Sequence, residues 1–262
     1  MPLFGIPDTH VRSAWRLWQR NAAIYRRTYK LNIIPNFFEP VLYLLAMGLG
    51  LGGYISQREF GGVDYIAYIA PGLAAMAAMF GTSFEVTFNC FVKMQFGKVY
   101  DAVMATPLTI EDVALGELLW GTTRAFIYGV VFLMIAALFG VVDSGLVVFA
   151  PVALALIGMM FSVIGLTFTA IVPLIDYFTY YWTLFMTPMM LFSGIFFPLD
   201  RLPAWVEVVA WFMPLHHSVN LMRALTLTGD VGAALLAAAW IAGLTALMFV
   251  LPLNLMRRRL VK

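Results

Sequence analysis

Residues 146–175, LVVFAPVALALIGMMFSVIGLTFTAIVPLI, form a run of thirty residues without a charged side chain. A helix rises 1.5 Å per residue, so about 20 apolar residues cross the ~30 Å hydrocarbon core of a bilayer. The run is therefore long enough to span a membrane as one helix. A helix is the favoured structure because any open backbone would leave its polar groups without partners in lipid.

The rest of the chain has the same apolar character. Hydrophobic residues make up 62% of its 262 residues and charged residues 11%, against roughly a quarter charged in an ordinary soluble domain. This composition excludes a soluble globular protein, and it excludes a disordered chain, which needs low hydrophobicity and high charge. The ten-residue alternation of a membrane barrel does not recur in the sequence, so helices are the expected spanning elements.

Six windows of sufficient length are apolar enough to cross a membrane. They lie near Leu31–Tyr54, Asp64–Cys90, Glu111–Gly140, Leu146–Ile175, Tyr177–Phe197 and Val231–Met256. We therefore predict an all-α polytopic membrane protein with six transmembrane helices, built as a single transmembrane domain over residues 1–262.

The positions of lysine and arginine predict the orientation of these helices, because cytoplasmic loops carry an excess of both residues. Of the sixteen, six precede the first predicted span, two lie between the second and third spans, and four follow the last span. Arg58, Arg201 and Arg223 lie on the opposite side. Both termini are thus expected in the cytoplasm. The net charge of +2 is too balanced to indicate a nucleic-acid partner.

A basic, amphipathic segment covers residues 8–30. Its tryptophans, Trp15 and Trp18, alternate with Arg16 and Arg20. An amphipathic helix with aromatic and basic side chains is typical of the headgroup region of a membrane. We predict an N-terminal interfacial helix here, with a basic flank that only sets the topology as the alternative.

A second short amphipathic segment, residues 97–105, lies between the second and third predicted spans. Its apolar side chains recur at helical spacing and charged side chains accompany them: Val99, Tyr100, Val103 and Met104, with Lys98 and Asp101. A short helix of this kind offers anchors to a groove on a partner. From the residues alone, a docking helix and a membrane-surface helix without a partner are equally open.

The longest connection on the predicted outer side, residues 198–230, is unusually apolar for a loop. Three prolines divide it into stretches that are too short to span a membrane. We predict a re-entrant hairpin of two short helices, Ala204–Met213 and Leu221–Leu227. Such a hairpin lines or covers a pathway, because irregular backbone at membrane depth needs protein or water around it. An interfacial cap is the alternative.

Four side chains of this hairpin are candidates for contact with a transported molecule or a lipid. They are Trp205, Trp211, His216 and His217. The tryptophans also suit an interfacial aromatic belt. The histidines either meet an anionic headgroup or hydrogen-bond within the protein.

Four ionisable residues fall within the predicted spans: Glu39, Glu85, Glu117 and Arg124. A charge near the bilayer centre costs several kcal/mol, so each of them is expected to face protein or water and to find a partner. Glu117 lies two turns from Arg124, too far for a pair along one helix. Arg124 is therefore expected to pair across helices with Glu39 or Glu85. A structural clamp, a proton relay and a gate are the interpretations of this set.

The predicted fifth span begins with a dense aromatic stretch. Its tyrosines are Tyr177, Tyr180 and Tyr181. They either stack on sugar rings in a transport pathway or form an aromatic girdle at the membrane surface.

Motifs for nucleotide binding and for catalysis are absent from the sequence. The single Gly-Lys pair, Gly97-Lys98, lacks the upstream glycine of a phosphate-binding loop and precedes Val99 in place of Ser or Thr. The sequence also lacks a nucleophile elbow and a metalloprotease motif. A lone Cys90 excludes an internal disulfide and a multi-cysteine metal site. We expect no catalytic residue, metal site or bound cofactor in this chain.

Several motifs together resemble the signature of a known family. They are Asp176-Tyr177-Phe178, Thr187-Pro188-Met189, SGIFFP at 193–198, Leu202-Pro203 and PLHHS at 214–218, with EPVLY at 39–43 and ATPL at 105–108. The chain is similar to the type-2 ABC exporter permeases and, among them, to the nodulation-factor (lipo-chitooligosaccharide) exporter permeases. The likeness extends over nearly the whole chain and is specific to the family, not to the substrate.

The resemblance implies a multi-pass permease of the bacterial inner membrane that has no ATPase site of its own. It implies a homodimer coupled to a separate ABC ATPase dimer, which binds ATP and Mg. Residues 97–105 would be the coupling helix and residues 8–30 an interfacial gate helix. The expected substrate is amphipathic: a lipid-linked oligosaccharide, a glycolipid or a hydrophobic drug. A proton-coupled secondary transporter and a membrane scaffold without transport activity are the alternatives.

Overall fold

A computed structural model describes residues 9–51 and 62–260 of the chain, apart from the side chains of residues 30–37, 39, 40, 48, 49 and 51. Every regular element in these ranges is helical. The helices are α1 Val11–Leu51, α2 Tyr65–Gln95, α3 Val99–Met104, α4 Ile110–Leu138, α5 Gly145–Ile171, α6 at 178–192, α7 Ala204–Trp211, α8 at 214–228 and α9 Val231–Leu260. The prediction of an all-α protein is confirmed for these residues.

Four helices are long and apolar enough to cross a membrane: α2, α4, α5 and α9, each with 27–31 residues. They correspond to the predicted second, third, fourth and sixth spans. The second span continues five residues beyond its predicted end at Cys90, and the last continues to Leu260 because the basic residues Arg257 to Arg259 form its final turn. These helices confirm a polytopic membrane protein, without confirming a count of six spans.

The predicted interfacial helix and the predicted first span form one continuous helix, α1, of 41 residues. The expected boundary near Leu31 is therefore wrong as a helix end. Trp18 donates its indole N–H to the Thr123 hydroxyl of α4 at 2.8 Å, and Leu17 is buried. This part of α1 is consequently held against another helix of the protein, while Trp15 stays half-exposed. Residues 52–54 and the Glu39 side chain lie outside the described part.

The predicted fifth span is shorter than expected. Its helix, α6, has fifteen residues and thus a length of about 22 Å, less than the ~30 Å of a hydrocarbon core. Residues 193–197 are irregular. The helix ends there because Gly194 adopts φ +81°, a left-handed conformation that glycine accommodates and that terminates helices. The expected continuous span over Tyr177–Phe197 is therefore wrong.

The predicted hairpin over residues 198–230 consists of two helices, as expected. The first, α7, begins after Pro203. The second, α8, begins at Pro214 and not at Leu221, because proline suits the first turn of a helix, where its missing N–H is not needed. Most of α8 is buried, and it packs against α2 and α9.

The centre of the fold is the packing of α4 against α1, α2 and α5. Between α2 and α5, the Thr82 and Ser162 hydroxyls are 2.6 Å apart. A Cβ added to Gly121 of α4 would lie 2.5 Å from the Ser162 hydroxyl oxygen. Small residues of this kind let helix backbones approach closely in a membrane. The approach brings the charged residues of α2 and α4 within reach of each other.

The start of α4 contacts both the start of α1 and the end of α9. A capping box joins Thr109 and Asp112, whose side chain and backbone bond reciprocally at 3.2 and 3.1 Å. Asp112 also accepts the His10 backbone N–H at 2.6 Å. Beside it, Glu111 pairs with Arg257 at 2.8 Å. The beginning of α1 and the end of α9 are thereby both attached to one helix terminus.

Candidate functional site

One turn of α2, Glu85–Asn89, has the wider π-helical geometry. A π turn adds a residue to the helix and is frequent at functional sites. Within this turn the Asn89 amide donates to the Glu85 carboxylate at 2.8 Å. The local geometry therefore positions a buried carboxylate on the side of α2 that faces α4.

Four charged side chains meet at this turn and form what we call the charge cluster: Glu85, Lys93, Glu117 and Arg124. Lys93 Nζ lies 3.0 Å from Glu85 Oε1 and 2.8 Å from Glu117 Oε2. Arg124 Nη1 lies 3.8 Å from Glu85 Oε2. Two cations thus face two carboxylates. Arg124 was predicted to pair across helices with Glu39 or Glu85, and the structure shows the pair with Glu85.

Lys93 is the member of the cluster that the sequence analysis missed. The predicted end of the second span at Cys90 places Lys93 in the following loop. The helix in fact continues to Gln95. Lys93 then lies two turns after Glu85 on the same helix, and this spacing is the signal that a longer predicted helix would have provided.

The guanidinium of Arg124 is buried between aromatic rings. Its Cζ lies 4.5 Å from the centre of the Tyr25 ring and 4.9 Å from that of Tyr128. Its distance of 3.8 Å from Glu85 is too long for a hydrogen bond. Arg124 Nε has no hydrogen-bond partner among the described residues.

A cavity of about 300 Å³ adjoins the cluster. We call it the polar cavity. Side chains of α1, α2 and α4 line it, among them Arg20, Asn21 and Tyr25 of α1. The cavity thus joins the buried charges to the basic part of α1.

The short helix α3 forms where residues 97–105 predicted one, but its apolar side faces inward. Tyr100 is completely buried and its hydroxyl lies 3.0 Å from the sulfur of Cys90. Burial raises the pKa of Tyr100 well above its usual value. Val99, Val103 and Met104 pack half-buried against the same core. A six-residue helix needs such packing because an isolated helix of this length is unstable in water.

The expectation that Tyr100 is a docking anchor is therefore wrong. The side of α3 that is open to a partner carries Lys98, Asp101 and Ala102. Phe96, just before the helix, is 69% exposed. A protein that binds here meets charged and small side chains beside one aromatic ring.

The four candidate side chains of the hairpin form two pairs: the tryptophans are exposed and the histidines are hydrogen-bonded. Trp205 and Trp211 are more than half exposed. His217 Nε2 lies 2.7 Å from the Trp211 carbonyl oxygen, and its ring stacks on Trp240 at 3.9 Å. His216 Nδ1 lies 3.2 Å from a carbonyl oxygen of the irregular segment. Burial lowers the pKa of both histidines. Hydrogen bonding within the protein is thus the confirmed interpretation for them.

The irregular segment after α6 is held by side chains of α2 and α8, an arrangement that we call the carbonyl clasp. Arg223 Nη2 donates to the carbonyls of Gly194 at 2.6 Å and Ile195 at 3.3 Å. Tyr68 donates to Gly194 at 3.2 Å and Tyr65 to the Phe196 carbonyl at 3.1 Å. With His216 on the first carbonyl, every backbone carbonyl from 193 to 196 has a side-chain partner.

The sequence places Arg223 in the second predicted hairpin helix, Leu221–Leu227, but predicts no partner for it. Its guanidinium stacks over the Tyr68 ring, with 3.8 Å between Cζ and the ring centre. No carboxylate pairs with it within residues 9–51 and 62–260. Because its acceptors are backbone atoms, no residue type in the sequence indicates this pairing.

The three candidate pathway tyrosines have different surroundings. Tyr177 and Tyr180 are exposed. Tyr181 is buried, and its hydroxyl lies 3.2 Å from that of Ser83 on α2. Tyr181 is consequently a packing residue, and its assignment to an open pathway is wrong. No cluster of three potential metal ligands occurs where the side chains are described.

Comparison with known proteins gives one family and a set of relatives. The family model described as ABC-2 type transporter matches residues 12–227. Nodulation protein J of Sinorhizobium fredii (strain NBRC 101917 / NGR234) is 33% identical over 244 residues, covering 93% of this chain and 92% of that protein. Nodulation protein J of Rhizobium leguminosarum bv. viciae is 33% identical over 94% of each chain. The inner membrane transport permease YadH of Escherichia coli K12 is 21% identical, covering 79% of this chain and 80% of that protein.

Proposed function

The chain belongs to the ABC-2 type transporter family, and on this premise we propose that it is the transmembrane subunit of an ATP-driven exporter for an amphipathic substrate. The observation that carries the proposal is the match of residues 12–227 to the family, together with relatives aligned over more than nine-tenths of the chain. A transmembrane subunit of this family works with a separate ABC ATPase, which agrees with the lack of a phosphate-binding loop in the sequence.

We place the contact with the ATPase at the exposed side of α3, formed by Lys98, Asp101 and Ala102 with Phe96 beside it. Two features support this placement. The inward side of α3 is hydrogen-bonded to α2 through Tyr100 and Cys90, so a displacement of α3 also moves α2. The same helix carries Glu85 and Lys93 of the charge cluster.

Further parts of the proposal concern the assembly and the cargo. Two copies of the chain enclose the pathway, in the bacterial inner membrane, with both termini in the cytoplasm. The substrate is a lipid-linked oligosaccharide, a glycolipid or a hydrophobic drug, in agreement with a sequence rich in aromatic and methionine residues and poor in charge. Exposed Trp205 and Trp211 of α7 are proposed to meet the substrate or lipid at the exit. Membrane lipid is the remaining partner, and nucleic acid is not one.

The charge cluster supports a structural clamp more than a proton relay. Lys93 bridges both carboxylates of the cluster, so uptake of a proton by Glu85 or Glu117 would break a buried ion pair. A proton-coupled transporter needs a carboxylate that gains and loses its proton in each cycle. The scaffold alternative requires no such cycle and differs from an exporter only by the absence of turnover.

The proposal is tested by purifying the tagged chain with a co-expressed ABC ATPase of the same organism. Reversing the exposed charges of α3, Lys98→Glu with Asp101→Arg, is expected to abolish co-purification of the ATPase. Asp143→Arg, at another exposed aspartate five residues beyond the end of α4, is the matched control and is expected to retain the ATPase. In reconstituted vesicles the wild-type complex is expected to move a fluorescent lipo-oligosaccharide only with ATP. Transport by the chain alone, or transport that stops when the proton gradient collapses at constant ATP, contradicts it.

A further inference from the structure

The polar cavity between α1, α2 and α4 has an excess of positive charge. Arg20, Lys93 and Arg124 contribute three cations to its lining, and Glu85 contributes the one carboxylate among the lining side chains described. Glu117, behind the lining, pairs with Lys93 at 2.8 Å, so Arg20 is the cation in excess of the two carboxylates. Charges in a cleft with low-dielectric walls act more strongly on a ligand than they do in water. The cavity therefore attracts an anion.

Two buried side chains of the lining have hydrogen-bond donors without an acceptor among the described residues. Asn21 is 3% exposed and Arg124 is 2% exposed. Asn21 Nδ2 and Arg124 Nε lack a hydrogen-bond partner in the described part of the chain. Buried donors are nearly always bonded in native proteins, so an unused pair on the wall of one cavity calls for an explanation.

Neighbouring groups orient these donors but do not accept hydrogen bonds from them. Arg20 donates to the Asn21 amide oxygen at 3.3 Å, which directs the amide nitrogen away from Arg20. The oxygens of Glu85 accept from Lys93 at 3.0 Å and Asn89 at 2.8 Å, while Arg124 lies 3.8 Å away. Within residues 9–51 and 62–260, both donors are therefore available to acceptors of a bound ligand.

The rest of the lining is apolar and aromatic. Tyr25 holds one face of the Arg124 guanidinium, and Trp120 and Ile24 line the cavity beside it. A planar guanidinium with free N–H groups matches the oxygens of a phosphate in a two-point contact. The apolar part suits the chain or glycerol portion of an amphiphile.

We propose that the polar cavity binds a phosphate group, with Arg124 and Asn21 as its hydrogen-bond donors and Arg20 as a further cation at the site. The phosphate belongs to a lipid headgroup, to the polar head of a transported amphiphile, or to free phosphate, since these present the same oxygens. The inference concerns binding by this chain alone, so it stands apart from the coupling to an ATPase.

The test is ligand-induced stabilisation of the purified chain in neutral detergent. Dioctanoyl phosphatidic acid is compared with dioctanoylglycerol, which has the same chains but no phosphate, and with inorganic phosphate. A saturable rise in Tm with phosphatidic acid, absent with dioctanoylglycerol, is expected, because a ligand that binds the folded state raises its stability. Equal shifts from phosphatidic acid and dioctanoylglycerol would overturn the proposal.

Inorganic phosphate distinguishes the sources of the group. If it raises Tm alone and displaces phosphatidic acid at similar concentration, the site takes free phosphate. If only the amphiphile acts, the phosphate arrives on a lipid or on an amphipathic substrate. Either result supports a phosphate site.

Variants locate the site in the cavity. Arg124→Lys keeps the charge but loses the planar fork, and Asn21→Asp replaces a donor by an acceptor at the same size. Each is expected to weaken phosphatidic acid binding by about tenfold or more, the effect of one charge-assisted hydrogen bond. Arg27→Gln, an exposed arginine of α1 away from the cavity lining, is the matched control and is expected to bind as wild type.

Folding of each variant is read from its unliganded Tm and its elution volume. Asn21→Asp is isosteric, so it tests the site by itself if Arg124→Lys does not fold. Wild-type affinity in Asn21→Asp would overturn the proposal, and so would a loss in Arg27→Gln equal to that in the cavity variant. Because no ATPase is present, a failure here leaves the exporter assignment untouched.

Discussion

Seventeen residues of α2 separate Tyr68, in the carbonyl clasp, from Glu85, in the charge cluster, which places the two regions about 25 Å apart along one helix. Each region holds an arginine, buried Arg124 in the charge cluster and half-buried Arg223 in the carbonyl clasp. In the charge cluster, cations meet carboxylates from two helices. In the carbonyl clasp, Arg223 meets backbone carbonyls and the face of a tyrosine ring.

The difference lies in what each arrangement requires of the backbone. The charge cluster joins side chains with side chains, on helices whose only irregularity is the π turn at Glu85–Asn89 among the described parts of α2 and α4. The carbonyl clasp exists only while residues 193–197 keep their irregular path, because the acceptors are backbone atoms of that segment. Open carbonyls in lipid cost several kcal/mol each, so the clasp explains how a helix ends at Phe192 inside a membrane protein.

The largest effect is expected in the charge cluster. Lys93→Met leaves two buried carboxylates with Arg124 as their remaining cation, and the free energy of unfolding is expected to fall by about 3–5 kcal/mol. Denaturant unfolding in mixed micelles measures it. Lys98→Met, the same change at an exposed lysine, is expected to have little effect, and adding Glu117→Gln to Lys93→Met is expected to restore part of the loss. Equal losses at both lysines would show that the cluster is not a clamp.

A smaller effect is expected in the carbonyl clasp. Arg223→Gln removes a hydrogen-bond donor from the Gly194 and Ile195 carbonyls, and the free energy of unfolding is expected to fall by about 1–3 kcal/mol. Hydrogen exchange by mass spectrometry is expected to accelerate in residues 193–197 and to stay unchanged around Glu85. Arg258→Gln, at an exposed arginine, is the control. Unchanged hydrogen exchange in residues 193–197 would show that Arg223 does not stabilise the irregular path.

The smallest expected effect is a pH dependence of stability that arises from two histidines of α8. Burial lowers the pKa of His216 and His217 from 6.5, so the unfolded chain binds protons that the folded chain does not. Their contribution is therefore complete above about pH 6.5 and is lost as pH falls below it, by about 1.4 kcal/mol per unit of pKa difference. The Tm of the wild type is expected to fall more between pH 7 and pH 5 than that of His216→Asn with His217→Gln. Parallel pH curves would contradict this.

Much of the architecture was predictable from local pattern. Both ends of α4 and the start of α9 followed, to within two residues, from charges and the lengths of apolar runs, and the two helices of the hairpin followed from its prolines. The candidate sites were less predictable. The need of a buried charge for an opposite one predicts that Arg124 pairs with Glu39 or Glu85, and only the structure selects Glu85. Lys93 is not predicted to join them, because the helix continues five residues beyond its predicted end. The apolar side of α3 packs inward, which the sequence did not predict, since amphipathicity shows that one side is apolar but not whether that side meets a partner or the protein itself.

The sequence by itself determined that this chain is a helical membrane protein of the ABC-2 type, because length and polarity decide membrane insertion segment by segment and because the family motifs occur in order along the chain. Only the tertiary structure decided which groups meet. Arg223 finds the carbonyls at 194 and 195, and Arg124 comes to line a cavity with Asn21, through the rotation and approach of helices that are far apart in the chain. Such partners depend on three-dimensional geometry, which neither residue type nor spacing encodes.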